Sequence, residues 1–364
     1  MMGLIFFRYD RCYMLSVLSY LHVYFGPFRL LQSYAVLMGI ALYAGFFFTY
    51  GVLPSAYRFL PQDRGRAFAP CAQEAAGKPT GAGVIFVSVF VLLVYLLMRP
   101  SFVHALILLL TWGVMLTGYL DDCAQVCWGE YRKGALDFLF AVLTAALLGH
   151  FYFHDQVFWW FPFFSDPVFV SPFLFFAGSV VILWMSINAT NCTDGVDGLS
   201  GALVLMALLS MGTIFYFLLG NVRAAQYLLV PFVVDGAQWA LMSFALAGAL
   251  MGYVWRNAHP STVLMGDAGS RALGFFIGVL VLISGNPFLL LMTSGVILVN
   301  GGTGLLKVVL LRFFHVRILS RVRFPLHDHM RENWHWSTAQ VLLRFMILQG
   351  LLTIGLLGVL FKLR

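Results

Sequence analysis

Charge is scarce in this 364-residue chain. Asp, Glu, Lys and Arg together make up 10% of it, against about 25% in an ordinary soluble domain. With 61% of the residues hydrophobic, that scarcity excludes a disordered chain, a coiled coil and a soluble globular protein. Cysteine is sparse too. Cys12, Cys71, Cys123, Cys127 and Cys192 are an odd number without zinc-type pairing to histidine, which argues against a disulfide scaffold or a zinc site. Cys123 and Cys127 read as small packing residues near a helix end. Acids are the rarer sign, 15 against 22 basic residues, for a formal charge of +7. In so apolar a chain this excess reflects retained cytoplasmic loops and an anionic membrane surface, and no nucleic-acid partner is expected. A cleavable signal is not needed, because the first span itself would direct insertion.

Long apolar runs are what the chain has in abundance. A membrane helix needs about 20 mostly apolar residues. Such runs lie near 34–57, 81–98, 101–120, 138–153, 168–187, 198–220, 236–255, 272–286, 287–306 and 341–361. The expected fold is therefore all-α, a polytopic bundle of ten transmembrane helices in a lipid bilayer. The fourth and eighth runs are short, and 227–234 has the character of an interfacial or re-entrant piece. Residues 1–33, with Arg8, Arg11 and Arg29, read as an amphipathic arm on the membrane surface. Residues 34–364 then form the transmembrane domain.

Ten spans divide the connections into two sets. Those following the odd-numbered spans hold most of the basic residues, including Lys78, Lys133, Arg256, Arg271 and the arginines of 312–331. The internal loops of the other set hold only Arg99 and Arg223. By the positive-inside rule the first set is cytoplasmic and both termini are external, that is, periplasmic. Most of the acids share the cytoplasmic side, although that rule does not govern acids. Carboxylates at span ends facing one compartment suit a site that takes a soluble substrate at the membrane surface. A cation-coupled transporter would place them mid-span, and only Asp235 approaches that description.

Four clusters on that side carry possible chemistry. Asp121 and Asp122 end the third apolar run. Adjacent carboxylates at the edge of hydrocarbon need a cation, a shared proton or strong hydrogen bonds, unless they simply face water. Magnesium would serve, since it prefers oxygen ligands and bridges carboxylates to substrate phosphates. The second cluster, Asn188 to Gly198, packs Asn188, Asn191, Asp194 and Asp197 around Gly195 and Gly198, with no Lys or Arg. Its amides can donate and accept, as base or sugar recognition requires. The third, Asn257 to Ser270, frames Asp267 between Gly266 and Gly269 just before another apolar run. A helix start presenting N–H groups and a carboxylate can hold a phosphate with its metal, or can be a simple N-cap. The fourth is Phe324-Pro-Leu-His-Asp-His329, among Arg317, Arg321, Arg323 and Arg331. His327 and His329 lack the further ligands that zinc requires, and fit a pyrophosphate better. Together the clusters supply the parts for metal-assisted phosphoryl transfer to a lipid.

The motifs Leu-Asp-Asp at 120–122, Asn-x-x-Asn-x-Thr-Asp-Gly-x-Asp-Gly-Leu at 188–199 and Met-Gly-Asp-x-Gly-Ser at 265–270 resemble those of the polyprenyl-phosphate N-acetylhexosamine-1-phosphate transferase superfamily. Lys78-Pro-Thr-Gly-Ala-Gly83 is similar to its Thr-Pro-Thr-Met-Gly-Gly. Pro325-Leu-His-Asp-His329, with Trp336, Val341, Arg344 and Phe345 downstream, resembles the tail of the phospho-N-acetylmuramoyl-pentapeptide transferases. The N-acetylglucosamine-1-phosphate relatives usually lack that tail. The resemblance runs from about residue 34 to the C-terminus.

It implies transfer of phospho-MurNAc-pentapeptide from UDP-MurNAc-pentapeptide to undecaprenyl phosphate, giving lipid I and UMP. The setting would be the bacterial inner (cytoplasmic) membrane, with Mg2+ as cofactor and a homodimer by family analogy. Asp267 would be the metal ligand, and Asp121 and Asp122 would face the lipid phosphate. His327 would bind the pyrophosphate. Lys133, Asn188, Asn191, Asp194, Gly195, Asp197, Asn257 and His329 would hold the substrate. A GlcNAc-1-phosphate transferase is the alternative, and a catalytically degenerate homologue a third. The chain departs from the family pattern at Asp328 (a histidine in the family), Leu264 (usually Phe), Arg271 (usually apolar) and Ala75 (usually basic). At the family's Glu after the histidines stands Arg331 or Glu332, and the loop between Asp122 and Lys133 is short.

Overall fold

The computed structural model describes residues 24–63, 65, 76–126, 128–153, 157–161, 164 and 166–362. Most of the expected N-terminal arm, 1–23, lies outside the described residues, as do Cys12, Cys71 and Cys127. The arm's last part forms a 3-10 helix, Gly26–Gln32. The apolar runs become helices α1 (Tyr34–Ala56), α2 (Gly83–Leu97), α3 (Phe102–Cys123), α4 (Glu130–Leu147), α5 (Pro172–Thr193) and α6 (Leu199–Thr213). After a short α7 (Val222–Tyr227) come α8 (Gly236–Asn257), α9 (Gly266–Ile283), α10 (Phe288–Ile297) and α11 (Thr303–Phe314). The chain ends with α12 (Leu326–Asn333) and α13 (Thr338–Lys362). A π-turn over Leu298–Gly302 joins α10 to α11, so the two form one span.

Among the described residues, 9 helices are long and apolar enough to cross a membrane. The second expected span, α2, is the one left out, with only 15 residues, about 22 Å of helix against a hydrocarbon thickness of about 30 Å. The expectation of short fourth and eighth spans is corrected. Those helices begin at Glu130 and Gly266, well before the apolar runs do. Their first turns carry Lys133, Asp137, Asp267 and Arg271, which interrupt an apolar window but pair with one another inside the bundle.

Helix α9 is the axis, with every residue from Asp267 to Ile283 buried. Helices α2, α3, α5 and α8 surround it or its neighbours, and the outer helices turn Phe47, Leu109 and Leu351 outward. Without a hydrophobic drive between helices in lipid, close backbone approach supplies much of the packing. At Gly118 of α3 an added Cβ would collide with the Asp267 carbonyl, so α3 reaches the start of α9 at backbone distance. The C-termini of α3, α5 and α8 and the N-termini of α4 and α9 gather at one end of the bundle.

The opposite end holds a two-stranded antiparallel hairpin, β1 (Val157–Trp159) with β2 (Val168–Val170), which the apolar runs did not reveal. Beside it Trp160 donates from Nε1 to the Ser284 carbonyl at 2.8 Å. Asp235 lies at this end rather than mid-span, immediately before α8, and accepts from Tyr152 at 2.7 Å and Trp239 at 2.9 Å. The segment expected to be interfacial or re-entrant begins as the end of α7 and continues as a turn toward Asp235.

Candidate active site

Three helix ends converge on Asp121, Asp122 and Asp267. The two adjacent aspartates occupy the last turn of α3, where the helix dipole disfavours negative charge. Each finds a different compensation. Asp121 is buried and accepts from the Trp128 amide at 2.6 Å, and Lys133 Nζ lies 2.5 Å from its Oδ2. Asp122 accepts from the amides of Asp267 and Ala268 at 3.0 and 3.1 Å. It therefore caps the N-terminus of α9 from another helix, satisfying donors that a helix start leaves open. Gly266, at φ +68, makes this possible, because a Cβ there would strike the Asp122 carboxylate.

Lys133 joins the cluster from the first turn of α4. Its ammonium is 2.8 Å from Asp267 Oδ2 as well as being paired with Asp121. A lysine at a helix N-terminus opposes the dipole, and two carboxylates offset that. Asp267 itself is buried in the first turn of α9.

The Asn188–Gly198 segment closes the end of α5 and turns into α6. Asn191 accepts from the Ser270 hydroxyl at 2.8 Å, tying it to the second turn of α9. Asn188 donates to the Trp184 carbonyl at 2.9 Å, within its own helix. Asp194 is half-buried and Gly195 exposed at the tip. Asp197 and Asn257 act on the neighbouring loop. Asp197 accepts from the Ser261 amide at 3.1 Å and its hydroxyl at 2.8 Å, with His259 Nδ1 at 3.0 Å. Asn257 accepts from the Gly198 amide and donates to the Val263 carbonyl, both at 2.8 Å. Lys78 donates to Ser261 at 2.9 Å, so the Lys-Pro-Thr segment joins the same network. Burial alone would raise the Asp197 carboxyl, but the Ser261 and His259 bonds and the nearby Lys78 charge hold it below its ordinary value.

His327 stands at the start of α12, 1% exposed. Its amide donates to Asn300 Oδ1 at 2.8 Å, its Nδ1 lies 3.1–3.2 Å from the Asn300 amide group, and its ring packs on Gly195, where any Cβ would meet Nε2 at 2.5 Å. The short α12 thus docks onto the Asp194–Gly195 turn. Sequence reading missed Asn300. It lies in an apolar run without a motif, and its only signal was being a lone amide inside a span. His329 sits apart from these contacts, with Nδ1 3.4 Å from the Arg323 amide. Arg323 pairs with Glu332.

The structure therefore brings Asp121, Asp122, Lys133 and Asp267 into one cluster. It ties Asn191 to α9 through Ser270, leaves Asn188 bonded to the Trp184 carbonyl of its own helix, and places His327 beside Gly195. Asp137 and Arg271, which the sequence assigned to loops, are buried within α4 and α9 and bonded to each other at 2.5 Å.

Residues 104–285 match the family described as Glycosyl transferase family 4. The chain is 33% identical over 275 residues to the phospho-N-acetylmuramoyl-pentapeptide-transferase of Campylobacter jejuni (serotype O:23/36, strain 81-176), a match covering 73% of this chain and 76% of that protein. It is 28% identical over 345 residues to the protein of the same name from Helicobacter pylori (strain 26695), covering 92% and 96% of the two chains. A similar protein from Helicobacter acinonychis is 29% identical over 347 residues. The chain belongs to glycosyl transferase family 4 and, within it, to the phospho-N-acetylmuramoyl-pentapeptide-transferase family of multi-pass bacterial membrane proteins.

Proposed function

We propose that this chain transfers phospho-MurNAc-pentapeptide from its UDP carrier to undecaprenyl phosphate, giving lipid I and UMP at the cytoplasmic face of the membrane. The observation that carries the proposal is the Asp121–Lys133–Asp267 ion cluster, held where a helix N-terminus meets the end of the bundle. In this reaction an oxygen of the lipid monophosphate attacks the phosphorus bearing the sugar. The bond from that phosphorus to the bridging oxygen breaks, and UMP leaves with the electron pair. A phosphate monoester has its second pKa near 6, so the lipid phosphate is largely dianionic at neutral pH and general-base help contributes little.

The residues divide the work. Lys133 offsets charge between two acids and can turn toward an incoming phosphate. Asp121 orients Lys133, and Asp122 fixes the start of α9 beside the path of the lipid phosphate. His327, anchored by Asn300 and facing Gly195, is placed to hydrogen-bond the pyrophosphate. Asn188, Asn191, Asp194 and Gly195 line the nucleotide and sugar side. Asp197 and Asn257 shape that side through the 257–263 loop, and His329 lies at its margin.

Among the described residues, no three His, Cys, Asp or Glu side chains form a ready metal cage. Magnesium needs no such cage, since it commonly takes one or two carboxylates and completes its shell with substrate phosphates and water. Asp267 fits as the protein ligand, since its carboxylate already attracts a cation in the form of Lys133. When bound, the metal would neutralise charge developing on the pyrophosphate.

The test is UMP release by purified protein given undecaprenyl phosphate and Mg2+, with UDP-MurNAc-pentapeptide compared against UDP-N-acetylglucosamine. The first alone should turn over. Turnover of the second alone would move the chain to the GlcNAc-1-phosphate branch. Asp267→Asn should lose at least about a hundredfold in kcat while remaining folded in detergent, and activity within a few-fold of wild type would refute the metal assignment.

A further inference from the structure

Lys133 and Asp137 lie four residues apart on α4, and Asp267 and Arg271 lie four apart on α9. Each pair therefore occupies one face of its helix, one turn from the other member. Helices α4 and α9 each pack on α3 and α5, and these two faces reach one another through their charged side chains. Lys133 Nζ is 2.8 Å from Asp267 Oδ2. One turn deeper, Arg271 approaches Asp137 Oδ1 through Nε at 2.9 Å and Nη2 at 2.5 Å. The order of signs is opposite on the two helices, cation then acid on α4, acid then cation on α9.

The lower pair is dry, with side-chain exposure of 0% for Arg271 and 1% for Asp137. A buried ion pair returns about what its desolvation costs, so stability alone is a weak reason for it. The sign order supplies a better one. Both helices start at the active-site end and run the same way. A slip of one turn in either direction would set Asp137 beside Asp267 or Lys133 beside Arg271, like charge against like charge in a low-dielectric interior. Buried charged and polar groups that specify helix register act in this way. Arg271 Nη1 meets no hydrogen-bond acceptor among the described residues, so the guanidinium is committed to Asp137 alone.

We propose that Asp137 and Arg271 are positioning residues that lock the axial register of α4 against α9, holding Lys133 opposite Asp267 when substrate and magnesium draw the upper pair apart. The inference rests on the proposed transfer reaction. It concerns a residue, Arg271, at which this chain departs from the pattern it otherwise resembles.

Two double variants test it. Asp137→Leu/Arg271→Leu removes both charges and leaves no orphan. Asp137→Arg/Arg271→Asp keeps a buried pair but puts like signs together on each helix, so a slipped register is no longer penalised. Each protein is measured by its melting temperature in detergent, by the Mg2+ concentration giving half-maximal thermal stabilisation, and by kcat and KM. Both variants should melt near wild type and need about tenfold more Mg2+, with kcat reduced about tenfold at nearly unchanged KM, as expected for reactive groups displaced by part of an ångström. A charge-swapped protein with wild-type kcat and Mg2+ midpoint would overturn the proposal, because an ordinary structural pair is restored by swapping. If both double variants fail to fold, Arg271→Lys, which preserves the sign order, decides. It should stay near wild type in both readouts, and a tenfold loss there would assign the effect to guanidinium shape and refute the register lock. Wild-type protein that releases no UMP would sink the reaction, while shifted Mg2+ midpoints in the doubles would still uphold the lock.

Discussion

At Gly266 the backbone and the chemistry meet in one residue. Its positive φ of 68° is a conformation that residues with a Cβ adopt at a cost, and the Asp122 carboxylate fills the space where that Cβ would stand. Gly266→Ala should therefore push Asp122 off the amides of Asp267 and Ala268. We expect a stability loss of about 1–3 kcal/mol and a fall in kcat of about a hundredfold. A thermal melt together with UMP release checks both. A variant that loses stability but retains kcat per folded molecule would separate the cap from catalysis. The motif around Gly266 was visible in the sequence as two glycines framing an acid. Its partner was not, because nothing in Leu-Asp-Asp says that the second carboxylate caps a helix 145 residues away.

The 257–263 loop shows what one carboxylate does for an element. Asp197 holds the loop through Ser261 and His259, and those bonds with Lys78 keep its carboxyl below the ordinary range although burial works the other way. A depressed carboxyl contributes stability that is complete above its unfolded-state value and is lost as pH falls through its lowered folded-state value. The KM for the UDP substrate should accordingly stay flat from neutral pH down through about pH 4, where an ordinary carboxylate is half-protonated, and rise only below it. Asp197→Asn should raise KM about tenfold at neutral pH, the loss of a charge-assisted hydrogen bond or so, and remove the acid rise. An acid limb that persists in the variant would place its origin elsewhere. Elements were unevenly legible. The apolar runs located ten helices, because hydrocarbon-length periodless stretches leave little choice. The starts of α4 and α9 were misplaced because charged residues that pair inside the bundle look, in sequence, like loop residues. The β1–β2 hairpin escaped because three-residue strands carry no usable alternation, and Asn300 because its partner His327 is fixed only by the fold.

For the whole molecule the arrangement is polar along one axis. One end gathers the carboxylates, Lys133, His327 and the basic stretch around α12. The other holds the hairpin and the cluster of Asp235, Tyr152 and Trp239. In the proposed orientation the basic end faces the cytoplasm, as the bias that orients membrane proteins generally would place it, and a UDP-linked substrate is available only there. In a cysteine-free background, Gln226→Cys on α7 and Ser320→Cys before α12 report the two ends, both positions being exposed. A membrane-impermeant maleimide applied to intact spheroplasts should label the cysteine at 226 and leave that at 320 unmodified until the membrane is permeabilised. The reverse pattern would invert the bundle and leave the aspartate cluster facing a compartment without its nucleotide substrate. Orientation is thus tied to the reaction itself: a site built from helix ends on one side can work only if that side is the one where the water-soluble partner is made.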